Sequence, residues 1–161
     1  MRVVPRDPAK PVTLRLNLEY AVCETLCIPA KGKAELVIAG TPSSQEAALK
    51  AAETRVPKAA GLSEGQGLSI RKAWRDTASS KPRVLVDVAA PAGSDVDLFA
   101  EGPTAEWALP LPVPVAGAAP GAKRFAFELD GLPRGATAQG AAIKLTATAG
   151  RDAIETVFRL D

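Results

Sequence analysis

Residues 141–160 read Ala-Ala-Ile-Lys-Leu-Thr-Ala-Thr-Ala-Gly-Arg-Asp-Ala-Ile-Glu-Thr-Val-Phe-Arg-Leu. Ile143, Leu145 and Ala147 alternate with Lys144, Thr146 and Thr148, and the period returns in Ile154, Thr156, Phe158 and Leu160. A period of two marks a strand with one buried face, because successive side chains leave a sheet on opposite sides. Ala149-Gly150-Arg151-Asp152 is a turn signal between two candidate strands, 141–149 and 152–160. Working back along the chain, further strand candidates are 67–75, 83–90, 96–101, 105–111 and 123–130. Val84, Val86 and Val88 alternate, as do Phe125, Phe127 and Leu129, with turn signals at Ala92-Gly93-Ser94, Pro120-Gly121 and Asp130-Gly131. About seven short strands in about 100 residues, with no long helix, predict an all-β domain, an immunoglobulin-like β-sandwich over residues 62–161. No internal repeat or low-complexity tract stands out.

Toward the N-terminus the text changes twice. Thr41-Pro42-Ser43-Ser44-Gln45-Glu46 offers a capping residue, a first-turn proline and a Ser43/Glu46 capping box. Ala47, Ala48, Leu49, Ala51 and Ala52 then favour helix until Pro57, so residues 41–61 read as a helical linker. Before it, Val12, Leu14, Leu16 and Leu18 alternate with Thr13, Arg15, Asn17 and Glu19, and a second strand runs through Ala34–Ile38. The stretch between these strands carries Cys23, Cys27 and Pro29. Two strands do not make a stable sheet alone, so residues 1–40 must pack on something else. Their unpaired edges also invite pairing with another molecule, including a second copy.

Composition excludes several functions. Apolar residues are 47% and charged residues 24%, with a net charge of +2. That is a normal globular balance, and no Lys/Arg cluster interleaved with aromatics points to nucleic acid. Histidine is absent, which removes the imidazole base of Ser-His-Asp and Cys-His catalysis and the usual mixed zinc and copper sites. No stretch of about twenty apolar residues is present to span a membrane. The start, Met1-Arg2-Val3-Val4-Pro5, lacks the apolar core of a signal peptide.

The two cysteines are the only strong nucleophiles. A CxxxC spacing between two strands brings both sulfurs within bonding reach if the turn is tight. So short a loop gains little from chain entropy, which suits an exchangeable disulfide; a static staple fits the spacing equally well. Cu(I) on two thiolates is a third reading, but Met1 is the only methionine and supplies no nearby soft ligand. Glu24 opposes thiolate formation at Cys23, whereas Lys31 and Lys33 favour it at Cys27. Tyr20 reads as a packing residue at a strand end, or as a shield over the sulfurs.

The run Leu16-Asn17-Leu18-Glu19-Tyr20-Ala21-Val22-Cys23-Glu24-Thr25-Leu26-Cys27-Ile28-Pro29-Ala30 resembles the periplasmic N-terminal region of the DsbD/ScsB family of disulfide reductases. In that family a tyrosine precedes a closely spaced cysteine pair, a proline follows soon after, and a Leu-rich strand comes next. A looser likeness continues in Val96–Gly102, Phe125–Leu129 and Ala153–Val157. The resemblance implies a periplasmic location and an immunoglobulin-like domain whose cysteine pair receives electrons from a membrane electron-transfer domain. It passes them to thioredoxin-fold oxidoreductases such as disulfide isomerases and cytochrome-maturation thioredoxins. Cys27 would form the mixed disulfide and Cys23 would resolve it, with no cofactor and no metal. The family places several strands before this hairpin, so the expectation is a chain that begins inside a longer protein. Protein-disulfide reductase activity is then implied for the intact parent. The alternative is a non-catalytic immunoglobulin-like interaction module with a structural disulfide.

Other features read as structural. Trp74 and Trp107 are expected in the sandwich core or at strand edges. Asp95, Asp97, Glu101 and Glu106 lack calcium-loop spacing and suit a solvated surface. The prolines at 110, 112 and 114 suit an edge strand or a polyproline spacer.

Overall fold

The alternation in residues 141–160 folds into β9 (Ala142–Ala149) and β10 (Asp152–Arg159), an antiparallel hairpin that turns through Gly150 at φ +60°. A left-handed turn position of that kind is open to glycine without a Cβ penalty. A computed structural model describes residues 3–23, 27–39, 44–78 and 81–161, with the backbone alone for Cys23 and Cys27. The chain divides into two compact units, Met1–Lys50 and Ala51–Asp161.

The second unit is the sandwich. One sheet has the order β3-β10-β9-β6, with β3 at Lys58–Ala59 and β6 at Val96–Glu101. The other has the order β4-β5-β8-β7, with β4 at Ser69–Asp76, β5 at Arg83–Ala89, β7 at Val113–Val115 and β8 at Ala122–Glu128. The alternating residues meet between the sheets: Val84, Val86 and Val88 of one and Ile143, Leu145 and Ala147 of the other are fully buried. Phe125, Phe127, Ile154 and Phe158 complete the same core. Thr156, the polar member of its row, is buried with its hydroxyl donating to the Ala60 carbonyl at 2.9 Å. That satisfies the hydroxyl's main demand in the core.

Two expectations change in this unit. Residues 105–111 form no strand; β7 begins at Val113 instead. Trp107 and Leu109 pack against the core from a loop, so their apolar character mimicked a strand face. The Ala108 amide donates to the Gly131 carbonyl at 3.0 Å and pins that loop. Pro114 then lies in β7 at the sheet edge, where a missing N–H leaves no ladder partner unsatisfied. The sheet also takes in Lys58–Ala59 from the stretch read as linker, as a short parallel pairing with β10.

In the first unit, β1 (Val12–Cys23) and β2 (Cys27–Ile38) form one unbroken antiparallel ladder from Val12↔Ile38 to Cys23↔Cys27. Both strands are longer than the sequence periodicity indicated, and the cysteines lie within them. Pro29 and the Lys31-Gly32-Lys33 run look like turn text, yet Ala30, Gly32 and Ala34 keep the apolar parity throughout. Helix α1 (Glu46–Glu53) buries no residue and ends four positions before Pro57. Ser43 of the expected capping box lies outside the described residues.

Candidate functional site

The β1–β2 ladder sorts its side chains into two rows, because directly opposed residues of an antiparallel pair share a face. One row joins Val12, Leu14, Leu16, Leu18, Tyr20 and Val22 to Ile38, Leu36, Ala34, Gly32, Ala30 and Ile28. It is wholly apolar, and most of its large side chains are exposed. The other row is polar over most of its length. Arg15 Nε donates to Glu35 Oε2 at 2.8 Å, and Lys31 Nζ donates to Glu19 Oε1 at 2.6 Å. Cys23 and Cys27 occupy the last register position of this polar row.

The backbone fixes what a pair at that position can do. Antiparallel pairs alternate between hydrogen-bonded and non-hydrogen-bonded classes. Pro29 has no N–H, so Ala21↔Pro29 suits the second class. Cys23↔Cys27 is two positions further on and takes the same class. Opposed Cα atoms there are about 4.5 Å apart, inside the range of roughly 4.4–6.8 Å that a disulfide bridges. A bond formed and broken at this position asks for no shift of register.

The residues weighed around the pair divide. Tyr20 belongs to the apolar row, opposite Ala30. Lys31 is engaged by Glu19, so its charge is not held in reserve for Cys27. Glu24 lies outside the described residues.

In the sandwich, Trp107 packs on the core. Trp74 lies half-buried on the edge strand β4, with Lys72 Nζ and Arg124 Cζ each 4.8 Å from its ring centroid. Arg124 also forks onto Asp87, Nε to Oδ1 at 2.6 Å and Nη2 to Oδ2 at 2.7 Å. The Asp87 carboxylate raises the guanidinium's pKa above its ordinary value. This cluster was missed in the sequence; its signal was the outward parity of Asp87 and Arg124 within the Val84–Val88 and Lys123–Phe127 alternations. Of the acidic residues near 95–106, Glu101 pairs with Lys144 at 3.1 Å, and the Thr104 hydroxyl lowers the pKa of Glu106. Among the described residues no three potential metal ligands gather, and no helix is long and apolar enough to cross a membrane.

A groove of about 620 Å³ runs beside β7, lined by Ala108, Pro110, Leu111, Val113 and Ala126, with Arg83, Glu128 and Asp130 among its charged residues. Its lining has no hydroxyl, thiol or lysine amine.

No family model and no curated protein matches this chain. In structure it is similar to the crystal structure of the N-terminal periplasmic domain of ScsB from Proteus mirabilis, with a TM-score of 0.55 and 15% sequence identity. The match covers 91% of this chain and 57% of that one, so the chain spans little more than half the length of the solved domain. At that identity the likeness shows a shared fold, the all-β immunoglobulin-like architecture built up above.

Proposed function

We propose that this chain is a periplasmic thiol–disulfide exchange module that carries electrons on Cys23 and Cys27. The observation that supports it most is the register of the hairpin, which sets the two cysteines directly opposite each other at the end of the ladder. Shared fold with a ScsB periplasmic domain supports the same reading. Residues 1–40 act as the redox element, 41–61 as the linker and 62–161 as the immunoglobulin-like support.

The chemistry balances without a base or a cofactor. The Cys27 thiolate attacks one sulfur of a partner's disulfide, forms a mixed disulfide and releases the partner's other sulfur as a thiolate. The Cys23 thiolate then attacks the Cys27 sulfur, closes the Cys23–Cys27 bond and releases the partner as a dithiol. Two electrons and two protons pass to the partner, a thioredoxin-fold oxidoreductase. A membrane-embedded reductase domain restores the dithiol by the reverse exchange. The lack of histidine is no obstacle, since exchange depends on thiolate fraction and access.

Redox equilibration of the full chain in glutathione and dithiothreitol buffers tests this reading. A relay pair is expected well above about −300 mV, where structural disulfides of exported proteins end. Cys23→Ala is expected to trap a mixed disulfide with a thioredoxin-fold partner, and Cys27→Ala is not. A potential below that mark, with no trapped species, returns the chain to the alternative of an interaction module with a static disulfide.

A further inference from the structure

Pro29 distinguishes the two outer edges of the β1–β2 hairpin. Ala21↔Pro29 takes the non-hydrogen-bonded class, in which both main chains turn their N–H and C=O positions away from each other. That direction returns at every second residue, so the main chain of the polar row faces outward. On β2 the outward positions from the cysteine end are Cys27, Pro29, Lys31 and Lys33. Pro29 has no N–H to give a neighbouring strand, and exposed lysines take the next two outward positions. Proline and lysine are residues that keep a strand edge from pairing. On β1 the outward positions are Cys23, Ala21, Glu19, Asn17 and Arg15, none of them proline or lysine. Cys27 therefore lies on the edge that resists a neighbour, and Cys23 on the edge that keeps every donor.

We propose that Pro29, with Lys31 and Lys33, keeps the outer edge of β2 unpaired, so that Cys27 stays open to an exchange partner. Pro29 is then a positioning residue, which acts on access and takes no part in the bond exchange. A strand laid along this edge would forgo a ladder bond at Pro29 and meet the lysines beyond it. The exclusion is built into the backbone of β2. It holds for any strand offered there, whether from another copy, from more of the same protein or from a partner.

The rival account makes Pro29 a turn residue. It does not fit, because β2 runs unbroken through Pro29 from Cys27 to Ile38. Access matters to the chemistry, since the rate of thiol–disulfide exchange depends on which sulfur can be reached as well as on thiolate fraction. The difference between the edges supplies a physical reason for the division of roles, in which Cys27 meets the partner and Cys23 resolves. The inference rests on the redox reading of the pair.

Timed iodoacetamide labelling of Cys27 tests it, in the full chain carrying Cys23→Ala so that one thiol reports, from micromolar to submillimolar protein. With Pro29 in place the labelling rate is expected to be independent of protein concentration. Pro29→Val restores the N–H with a strand-favouring residue, and adding Lys33→Thr removes one of the lysines. Both variants should label more slowly as concentration rises, the second more so. The slowing reaches about tenfold once the protein exceeds the dissociation constant of the pairing about tenfold. A distortion of the hairpin alone would slow labelling equally at every concentration. Rates that stay independent of concentration in both variants overturn the proposal, as does a rate that already falls with concentration when Pro29 is present. Labelling reads access and not potential. A Cys23–Cys27 potential in the structural range therefore sinks the relay without touching the edge, and flat labelling rates do the reverse.

Discussion

Lys31 Nζ lies 2.6 Å from Glu19 Oε1 across the β1–β2 ladder, on the register row that ends at Cys23 and Cys27. Lys31 lies four positions along the strand from Cys27, roughly 13 Å at the usual rise. That exceeds the screening length of about 8 Å at physiological salt, and Glu19 already offsets the charge. Lys31→Ala is therefore expected to change the alkylation rate of the reduced cysteines by less than about twofold at ~0.15 M salt. Timed labelling with iodoacetamide measures it. A tenfold slowing would restore Lys31 as the residue that tunes Cys27.

Gly131 is the glycine whose replacement the sandwich tolerates least. Its φ is +75°, and a Cβ there would overlap the Ala108 carbonyl oxygen. Gly135 has a similar φ of +82° but nothing within 4 Å of a Cβ. Gly135→Ala should lose only the backbone term, about 1 kcal/mol. Gly131→Ala should lose that and the clash as well, and should loosen the Ala108–Leu111 side of the groove. Denaturant midpoints of the two variants give the comparison; equal losses would mean that the 108–131 contact yields freely.

Leu145 is fully buried at the middle of β9, between β10 and β6. Leu145→Ala is expected to cost about 2–5 kcal/mol, the lost transfer energy plus the cavity left behind. Val157 in the neighbouring strand is 63% exposed, so Val157→Ala should stay within about 0.5 kcal/mol. Tryptophan emission during chemical denaturation reports on both, since Trp74 and Trp107 lie in the same unit.

The sandwich was legible where alternation and burial coincide. Val84, Val86 and Val88, and Ile143, Leu145 and Ala147, announce a core face by period alone, and each is fully buried. Legibility failed where an apolar residue reaches the core from a loop, as Trp107 and Leu109 do. It failed again in the hairpin, where Pro29 and Gly32 carry turn propensity that the ladder overrides. Parity in Ala30, Gly32 and Ala34 was the surviving signal, visible only once the partner row is known. That Cys23 and Cys27 are the strong nucleophiles was readable from the sequence; their place within the strands was not. The Asp87–Arg124 fork joins residues 37 apart in sequence, and its partner choice depends on the β5–β8 register, which local patterning does not encode.

Other strand registers shape the response to pH: β4–β5 sets Asp76 opposite Arg83, and β6–β9 sets Glu101 opposite Lys144. Asp76 Oδ1 accepts a hydrogen bond from the Ala78 amide at 3.0 Å, and its Oδ2 accepts one from Arg83 Nε at 2.9 Å. The amide first, then the guanidinium, hold its carboxyl below the usual carboxylate range. The unfolded chain binds that proton more readily, so the contribution to stability is present above about pH 4 and is lost as pH falls through the folded-state value. Lys144 runs the other way: Glu101 first, then Glu155, raise its pKa. Its contribution is complete below the ordinary lysine value of about 10.4 and is lost as pH rises through the folded-state value. Melting temperatures of wild type and Asp76→Asn are thus expected to differ at neutral pH and to converge in acid, once both carry an uncharged side chain at position 76. Lys144→Met should converge with wild type at the alkaline end instead. If the Asp76→Asn gap stays constant down to about pH 2, below the ordinary carboxylate range, the Ala78 and Arg83 contacts stabilise the fold without regard to the charge on Asp76.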